Sequence, residues 1–278
     1  MKNLPSLLFG LLSCVFVFSS AADAQSYRVL LSNDDGIESP QLAALKQALE
    51  SLPGVEVLVS APHENQSGAG QATGPDRLIV DRVYRDGSLF GYAVHGEPAE
   101  AVRFATVMLA GDEGFDLVVS GINQGANVGN VSHHSGTVGA AFEGHYQGIP
   151  SIAISQEARG ADTERSARFA AVLVQRYQRE GAPPGMILSV NIPAGELKGV
   201  RVRPMGDAYL KTVDYEIREE SENTTTYQRR RIRQRGTDPS SDTFSYQEGY
   251  IVLTPLKFDW TDHEAIGEVT AWGLRLVD

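Results

Sequence analysis

The amino-acid sequence predicts an α/β protein with a doubly wound, mostly parallel, Rossmann-like sheet and a β-rich C-terminal extension. The sheet is predicted because short runs rich in Val, Ile and Leu recur along the first two thirds of the chain, with segments of helical periodicity between them. Strands that alternate with helices are typical of parallel sheets covered on both faces. The extension is predicted because alternating, charged, strand-like stretches replace the helical periods after Pro193.

Four apolar runs predict the buried parallel strands, because each is bounded by Gly, Pro or Asp and lacks polar alternation. They span residues 27–32, 55–60, 116–120 and 151–155. Between the first two, Ser39 is a predicted N-cap and Pro40 the first helical residue. The leucines of this helix share one face that covers the sheet: Leu42, Leu45, Leu49 and Leu52. Further helices are predicted at 98–109, from 135 onward, and at 163–179.

These elements divide the chain into a predicted α/β catalytic core, residues 25–193, and the extension, residues 194–278. We expect a long hairpin in the extension, followed by a last strand, "GYIVLTPL" at 249–256, that returns to the core. The basic run "RRRIRQR", from Arg229 to Arg235, is interpreted as an exposed strand edge guarded by charges. An alternative use of this run is local binding of an anion.

The first 24 residues are interpreted as a secretory signal peptide, which predicts an exported protein in the periplasm or outside the cell. Lys2 precedes an apolar run, and the small-residue pattern Ala-Asp-Ala ends at Ala24. A transmembrane anchor is less consistent because the run is shorter than the ~20 residues that a spanning helix needs. A lipoprotein cleavage site at Cys14 is a minor alternative. No membrane span is expected after processing.

Charge and cysteine content exclude several kinds of site. The formal net charge of −11 argues against a nucleic-acid duplex as partner, because phosphate backbones require a basic face. Cys14 is the only cysteine and lies in the predicted signal peptide. The mature chain is therefore expected to use no disulfide, thiol nucleophile or cysteine metal ligand.

Polar loops follow several of the predicted strands. Asp34 and Asp35 follow the first, Asn65 and Ser67 follow the second, and "SGINQGANVGN" follows the strand that ends at Ser120. Carboxyl ends of parallel strands meet in the ligand-binding crevice at a switch point of the sheet. Oxygen donors with two adjacent carboxylates suit a divalent cation, namely Mg²⁺, Mn²⁺ or Ca²⁺. The alternative is that the "NDDG" carboxylates only cap a turn.

The segment "HHSGTVGAAFEGHYQG" is expected to begin a helix at its Ser-Gly-Thr turn. Unpaired backbone N–H groups and the positive end of the helix dipole favour anions at such a position, and Ser135 and Thr137 add hydroxyl donors. For this string alone, ordinary N-capping with close packing at Gly139, Ala140 and Ala141 is the favoured interpretation. A cation site facing a helix N-terminus would suit the two sides of a phosphate group.

Four ordered motifs together resemble the SurE survival-protein family of metal-dependent phosphatases, which act on nucleoside monophosphates. The motifs are "LLSNDDGIESP", "SAPHENQSGAG", "VVSGINQGANVGNVSHHSGTVGAAFEGHYQGIPSIAIS" and "EGYIVLTPL". The resemblance covers roughly residues 27–193 in order and is weaker beyond them. It implies a Rossmann-like hydrolase that is dimeric or tetrameric through its C-terminal extension.

The resemblance also implies roles for individual residues. The cation ligands would be Asp34, Asp35, Ser67 and Asn123. The substrate phosphate would be bound by Asn65, Asn127, Ser135, Gly136 and Thr137. The chain departs from many relatives at His133 and His134, where a tyrosine precedes "SGT" in the family, and 205–245 follows no alignable pattern. At least one of these histidines is expected at the substrate rim, and His63 is expected to be a solvated turn residue.

The activity implied is that of a 5′-nucleotidase, which hydrolyses a nucleoside monophosphate to nucleoside and phosphate. Asp34 or Asp35 would deprotonate or orient the water that attacks the phosphoryl group in line. An alternative mechanism uses one aspartate as nucleophile, with a phospho-enzyme intermediate. An alternative function is that of an exported protein that binds nucleotides or metal without turnover. A dinucleotide-binding role is excluded because the glycine spacing of "GINQGANVG" does not fit G-x-G-x-x-G.

Overall fold

The computed structural model describes residues 26–74, 76–207 and 209–276. The predicted signal peptide, residues 1–24, lies outside the described residues. Within them, no helix has both the length and the apolar character needed to cross a membrane.

The described residues form strands and helices in alternation over most of the chain. The strands are Tyr27–Ser32 (β1), Val55–Pro62 (β2), Val80–Arg85 (β3), Ser88–Val94 (β4), Leu117–Gln124 (β5), Ser151–Gln156 (β6), Ile187–Ile192 (β7), Val200–Val202 (β8), Leu210–Glu220 (β9), Thr225–Arg233 (β10) and Ile251–Leu256 (β11). The α-helices are Pro40–Glu50 (α1), Pro98–Met108 (α2), Gly136–Tyr146 (α3), Thr163–Glu180 (α4), Asp242–Gln247 (α5) and Ile266–Ala271 (α6). A 3₁₀ turn, Gly129–His134, precedes α3.

Among the described residues, nine strands form one mixed sheet in the order β3-β4-β2-β1-β5-β6-β7-β11-β8. Strand β1 pairs in parallel with β2 and β5, and β6 pairs in parallel with β5 and β7. This arrangement confirms the predicted fold class. The chain first builds outward from β1 to β2 and later returns to its other side with β5, so the switch point of the sheet lies between β1 and β5.

The core follows from the apolar runs of the sequence. Leu31 of β1 and Val119 of β5 are fully buried or nearly so, and they pack with Leu42, Leu45 and Leu49 of α1. Helix α4 begins at its N-cap Asp162, whose side chain accepts a hydrogen bond from the Arg165 N–H over 3.0 Å. Helices on both sheet faces therefore hold the central strands rigid beneath the loops at their carboxyl ends.

The extension contains the expected hairpin and returning strand. Strands β9 and β10 pair antiparallel with each other as a separate two-stranded ribbon, and β11 joins the main sheet between β7 and β8. Helices α5 and α6 also lie in this region, where the sequence pattern predicted few helical turns. The carboxylate of Asp242, 1% exposed, accepts hydrogen bonds from the N–H groups of Gly129 and Gly206, which joins α5 to the 3₁₀ turn.

Candidate functional site

The two adjacent aspartates of "NDDG" lie just beyond the carboxyl end of β1, at the switch point. Asp34 is 2% exposed, and its Oδ1 accepts a hydrogen bond of 2.6 Å from the Thr137 hydroxyl of α3. Burial is the main cause that raises the pKa of Asp34 to about 6, the hydrogen bonds from Thr137 oppose it, and the charge of Asp35 adds to it. Two neighbouring carboxylates are therefore held where ionisation of the buried one is unfavourable in the absence of a cation.

Asp35 is tied to two other loops. Its Oδ2 accepts from the backbone N–H of Gln124 at the end of β5 over 3.1 Å, and its Oδ1 accepts from the Asn65 amide over 3.3 Å. The oxygen of that amide in turn accepts from the Ser67 N–H over 3.0 Å. Burial raises the pKa of Asp35, and the hydrogen bond from Gln124 opposes that shift. Asp35 thus connects the loops after β1, β2 and β5.

Asn123 lies near the end of β5, where a register shift between Ser120 and Asn123 interrupts the pairing with β6. Its amide nitrogen donates to the Gly125 carbonyl over 2.7 Å, which orients its amide oxygen away from that carbonyl. Asn127 is fixed by two contacts, because its N–H donates to the Asn191 side chain over 2.7 Å and its amide donates to Ser155 Oγ over 2.9 Å. Both asparagines are mostly buried and rigidly positioned.

Helix α3 meets this site with its N-terminus. Ser135 is the N-cap, and its hydroxyl accepts a hydrogen bond from the Val138 N–H over 3.1 Å. Gly136 lies directly against Asp34, with no room for a side chain between them. The N–H groups of the first turn have no partner within the helix, and the dipole adds positive potential. The turn is therefore compatible with both interpretations of the Ser-Gly-Thr segment, N-capping and anion binding, because it caps the helix and also faces the carboxylates.

A single cavity of about 960 Å³ joins these groups. Its lining includes five of the predicted site residues, namely Asp34, Ser67, Asn123, Asn127 and Ser135. The other four connect to this set: Asn65 accepts a hydrogen bond from the Ser67 N–H and donates one to Asp35, and Gly136 and Thr137 contact Asp34. The structure consequently brings all the predicted residues together, although Asn65 and Thr137 hydrogen-bond to the aspartates, and their contact with a phosphate stays a prediction.

The residues at this site fit a hard divalent cation. The donors are carboxylate, hydroxyl and amide oxygens, as such cations prefer. Among the described residues, no Lys, Arg or His nitrogen lies within 4.0 Å of a carboxylate oxygen of Asp34 or Asp35. Buried polar atoms with no hydrogen-bond partner in the described part of the chain also lie at this end of β1, on Ser32 and Asn33. A bound cation would compensate the negative charge of both carboxylates.

The histidines occupy different positions. His133 and His134 are exposed, and both border the cavity from the 3₁₀ turn, while their contact with a substrate stays a prediction. His133 also packs edge-on against Trp260, with ring centroids 6.0 Å apart. His63 is exposed at the end of β2, where it stacks on His95.

Sequence reasoning missed one wall of the cavity. Arg229, Arg231 and Arg233 of β10 line it together with Lys211 of β9. Arg233 forms an ion pair of 2.6 Å with Glu157, a carboxylate that also accepts hydrogen bonds from two tyrosine hydroxyls. Alternation along a strand puts residues i, i+2 and i+4 on one face, which was the available signal. The sequence pattern favours an exposed strand edge guarded by charges for this basic run. The run instead faces the site, which is what the alternative interpretation, local binding of an anion, requires.

This chain is similar in sequence and fold to known proteins. The family model described as "Survival protein SurE" matches residues 29–212. The "5'-nucleotidase SurE" of Syntrophobacter fumaroxidans is 37% identical over 254 residues, which cover 89% of this chain and 100% of the relative. That of Chlorobaculum tepidum is 34% identical over 256 residues, covering 90% and 96%. The crystal structure of the SurE protein from Aquifex aeolicus superposes with a TM-score of 0.76 at 31% identity, covering 89% of this chain and 100% of that one.

Proposed function

Because this chain belongs to the SurE family, we propose that it is a 5′-nucleotidase that hydrolyses nucleoside monophosphates to nucleoside and phosphate, with a divalent cation as cofactor. The observation that carries the proposal is the adjacent pair Asp34 and Asp35: buried Asp34 lines the cavity and contacts Thr137 and Gly136 at the N-terminus of α3, and Asp35 joins the loops after β2 and β5. Its curated relatives are named 5′-nucleotidases, and hydrolysis of a phosphate monoester requires positive charge around the phosphoryl group, which a cation on one side and the helix N-terminus on the other would supply.

The chain's own groups have distinct tasks in this reaction. Asp34, Asp35, Ser67 and Asn123 would hold Mg²⁺, Mn²⁺ or Ca²⁺, which supplies charge that polarises the phosphoryl group. The N-terminus of α3 stabilises the negative charge that accumulates on the equatorial oxygens. Asp34 or Asp35 would accept a proton from the attacking water or orient it. Asp34 is held by Thr137 and serves as the fixed ligand.

The basic wall supports an anionic substrate. Arg229, Arg231 and Lys211 line the cavity of a chain whose net charge is −11, so this wall provides local positive potential against an acidic background. The cavity of about 960 Å³ is large enough for a nucleotide, which pockets of ~300–1,000 Å³ accommodate.

Release of inorganic phosphate tests the proposal. The purified chain would be incubated with a panel of 5′- and 3′-nucleoside monophosphates and with a simple sugar phosphate, in Mn²⁺, Mg²⁺, Ca²⁺ or chelator. We expect cation-dependent release that is fastest with nucleoside 5′-monophosphates. Nucleotide binding without phosphate release under every condition would instead support the alternative, a binding protein without turnover.

We also propose that the protein is exported and acts in the periplasm or outside the cell. The support is the sequence of residues 1–24, with Lys2, an apolar run and the Ala-Asp-Ala pattern. Mass spectrometry of the protein from an expressing cell tests this, and we expect a mature N-terminus at Gln25. An intact Met1 on protein in the cytoplasmic fraction would contradict it.

Assembly into a homodimer or homotetramer is a further part of the proposal. Its support is the ribbon β9–β10, which exposes Tyr215, Ile217 and Tyr227 away from the main sheet, together with the exposed Trp272 directly after α6. Exposed apolar side chains concentrated in this way are typical of protein interfaces. Light scattering on the full mature chain tests it, and a monomer at micromolar concentration would contradict it.

A further inference from the structure

Three potential metal ligands lie together outside the candidate active site, at the edge of the sheet formed by β3 and β4. His63, Asp81 and His95 each offer one ligand atom, and these atoms all lie within 4.8 Å of one another. His95 Nε2 is 2.7 Å from Asp81 Oδ2, and the rings of His63 and His95 stack with centroids 4.1 Å apart at an interplanar angle of 18°. The cluster combines two imidazoles with one carboxylate.

Strand pairing fixes the backbone of all three residues. The parallel pairing of β2 with β4 ends at Pro62 opposite Val94, and the antiparallel pairing of β3 with β4 begins at Val80 opposite the same residue. The N–H of His63 donates to the Val94 carbonyl over 2.7 Å, and the N–H of His95 donates to the Ile79 carbonyl over 2.9 Å. The three side chains therefore start from neighbouring positions on a rigid frame, as metal sites require.

We propose that His63, Asp81 and His95 form a second divalent metal site, selective for a transition cation of the Zn²⁺ class. Two imidazoles and a carboxylate are ligands that Zn²⁺ prefers, whereas the oxygen donors around Asp34 suit harder cations. The bound cation takes the place of the direct contact between His95 Nε2 and Asp81 Oδ2, and the two rings tilt out of their stack to direct a nitrogen at it. All three side chains are exposed, so they can make this rotation, and water completes the coordination.

The chain also contains a matched pair that lacks the third ligand. His263 Nε2 lies 2.8 Å from Asp259 Oδ2, as close as His95 lies to Asp81, and both its residues are exposed. Within the described ranges, the His63 cluster is the one place where three His, Cys, Asp or Glu ligand atoms converge to this degree. The His263–Asp259 pair therefore serves as an internal control for an ordinary surface His–Asp pair. The proposed site differs from it by having a second histidine.

The position of His63 gives the site a structural consequence. His63 begins the loop that carries Asn65 and Ser67, and the Gln66 N–H in that loop donates to the Asp34 carbonyl over 2.8 Å. A cation bound to His63 would anchor the start of this loop to β3 and β4. The proposal does not depend on the proposed hydrolase activity, because it uses different residues and a different cation.

Zinc binding in a variant without the candidate active-site carboxylates tests the proposal. The D34N/D35N double variant would be freed of metal with chelator and titrated with Zn²⁺ by calorimetry at pH 7.5, because protons compete with the metal for its ligands at lower pH. We expect one equivalent to bind. Adding either H63Q or H95Q should weaken binding at least ~10-fold, as loss of a ligand does, whereas adding H263Q should leave the affinity unchanged.

Cobalt(II) absorption and thermal unfolding provide two independent readouts. Co²⁺ in the double variant should give visible bands that H95Q removes, and saturating Zn²⁺ should raise Tm in the double variant but not after H95Q. Circular dichroism without metal verifies that each variant is folded. The proposal is overturned if the double variant binds no Zn²⁺, or if H63Q and H95Q bind it as tightly as H263Q does.

Discussion

The hydroxyl of Thr137 donates a hydrogen bond to Oδ1 of Asp34 over 2.6 Å, although 103 residues separate the two in sequence. Both side chains are buried, with Thr137 fully inaccessible. The bond stabilises the ionised form of Asp34 against the burial that raises its pKa to about 6. One threonine thus joins the helix expected to face the phosphate to the carboxylate expected to bind the cation.

Replacing Thr137 with Val should shift the acid limb of the activity profile to higher pH. The isosteric change removes a hydrogen bond to the carboxylate, so the pKa of Asp34 rises further and protons compete more effectively with the cation. At subsaturating Mn²⁺, kcat/KM should fall ~10-fold or more near pH 6 and less near pH 8. T137S, which retains the hydroxyl, should follow the wild-type profile. Equal losses at both pH values would indicate a purely structural role.

The metal-free protein should lose stability between about pH 4 and pH 6 through Asp34. The pKa of Asp34 is about 6 in the folded chain and 3.8 as the unperturbed value, so the unfolded chain releases this proton at lower pH. Stability from this group is therefore greatest below pH 4 and declines until pH 6. Urea unfolding of the chelator-treated proteins across this range measures their free energies of unfolding. The decline that Asp34 contributes should be present in the wild type and missing in D34N. Parallel curves for the two proteins would contradict it.

Replacing Asp35 with Asn should abolish cation-dependent hydrolysis. Loss of a charged cation ligand typically reduces rates at least ~10²-fold, because charge stabilisation at the reacting group disappears. The metal-free variant should be as stable as the wild type or slightly more stable, since one of two adjacent carboxylates is neutralised. Mn²⁺ should raise Tm in the wild type and scarcely in D35N.

The control for this experiment is D112N, which changes an exposed aspartate in the turn between α2 and β5. It should retain wild-type phosphate release and the wild-type response to Mn²⁺. A D35N protein that released phosphate at a near-normal rate would leave "NDDG" as an ordinary turn.

The central strands and their helices were predictable because burial on both faces leaves continuous apolar runs. Strands β1 and β6 match their predicted bounds to within a residue, and α1 begins at Pro40 as its capping pattern indicates. The meeting of the polar loops after β1, β2 and β5 was predictable for a related reason: the parallel topology directs every strand's carboxyl end to one edge. The roles of individual residues in those loops came from the resemblance to the SurE family and stay predictions.

The elements that sequence reasoning missed depend on tertiary context. Strand β3 is half exposed and lacks an apolar run, whereas β4 contains the apolar stretch "LFGYAV" and was overlooked. Asp86-Gly87 between them gives a local hairpin signal, and both residues have positive φ, 50° and 80°. Packing of the His63 side chain on His95 follows from a pairing of β2 with β4 that no local pattern encodes. Contacts between distant loops were therefore the least predictable part.

Replacing Gly139 with Ala should destabilise the site even though alanine favours helices. A Cβ at this position would lie 2.0 Å from the Gly70 carbonyl oxygen, so α3 and the loop after β2 must separate. We expect a lower Tm and at least a ~10-fold loss of kcat/KM, because this displacement moves the segment that carries Ser67.

The matched control is G267A in the short helix α6, where an added Cβ meets no atom within 4 Å. Alanine there should leave activity unchanged and should keep or slightly raise Tm, as expected for a helical glycine replaced in open space. Differential scanning calorimetry and phosphate release measure both variants. Similar Tm values and activities for G139A and G267A would contradict the close approach of α3 to the loop.

The last prediction concerns the basic wall. Arg231 lines the cavity, while its neighbour Arg230 lies 4.0 Å from Glu216 of the same ribbon and is absent from the cavity lining. Successive residues of a strand point to opposite faces, so R231Q removes a charge from the site, and R230Q removes the same charge elsewhere. If the wall attracts the substrate phosphate, R231Q should raise KM ~3–10-fold with kcat changed less than ~2-fold, in line with a partly exposed ion pair. R230Q should leave both KM and kcat unchanged.

Salt provides a second measurement of the same attraction. The increase in KM that added salt causes in the wild type should be weaker in R231Q, because screening acts on the attraction that this variant has lost. Equal KM values for the two variants at low ionic strength would show that β10 contributes shape to the cavity and no attraction for the nucleotide.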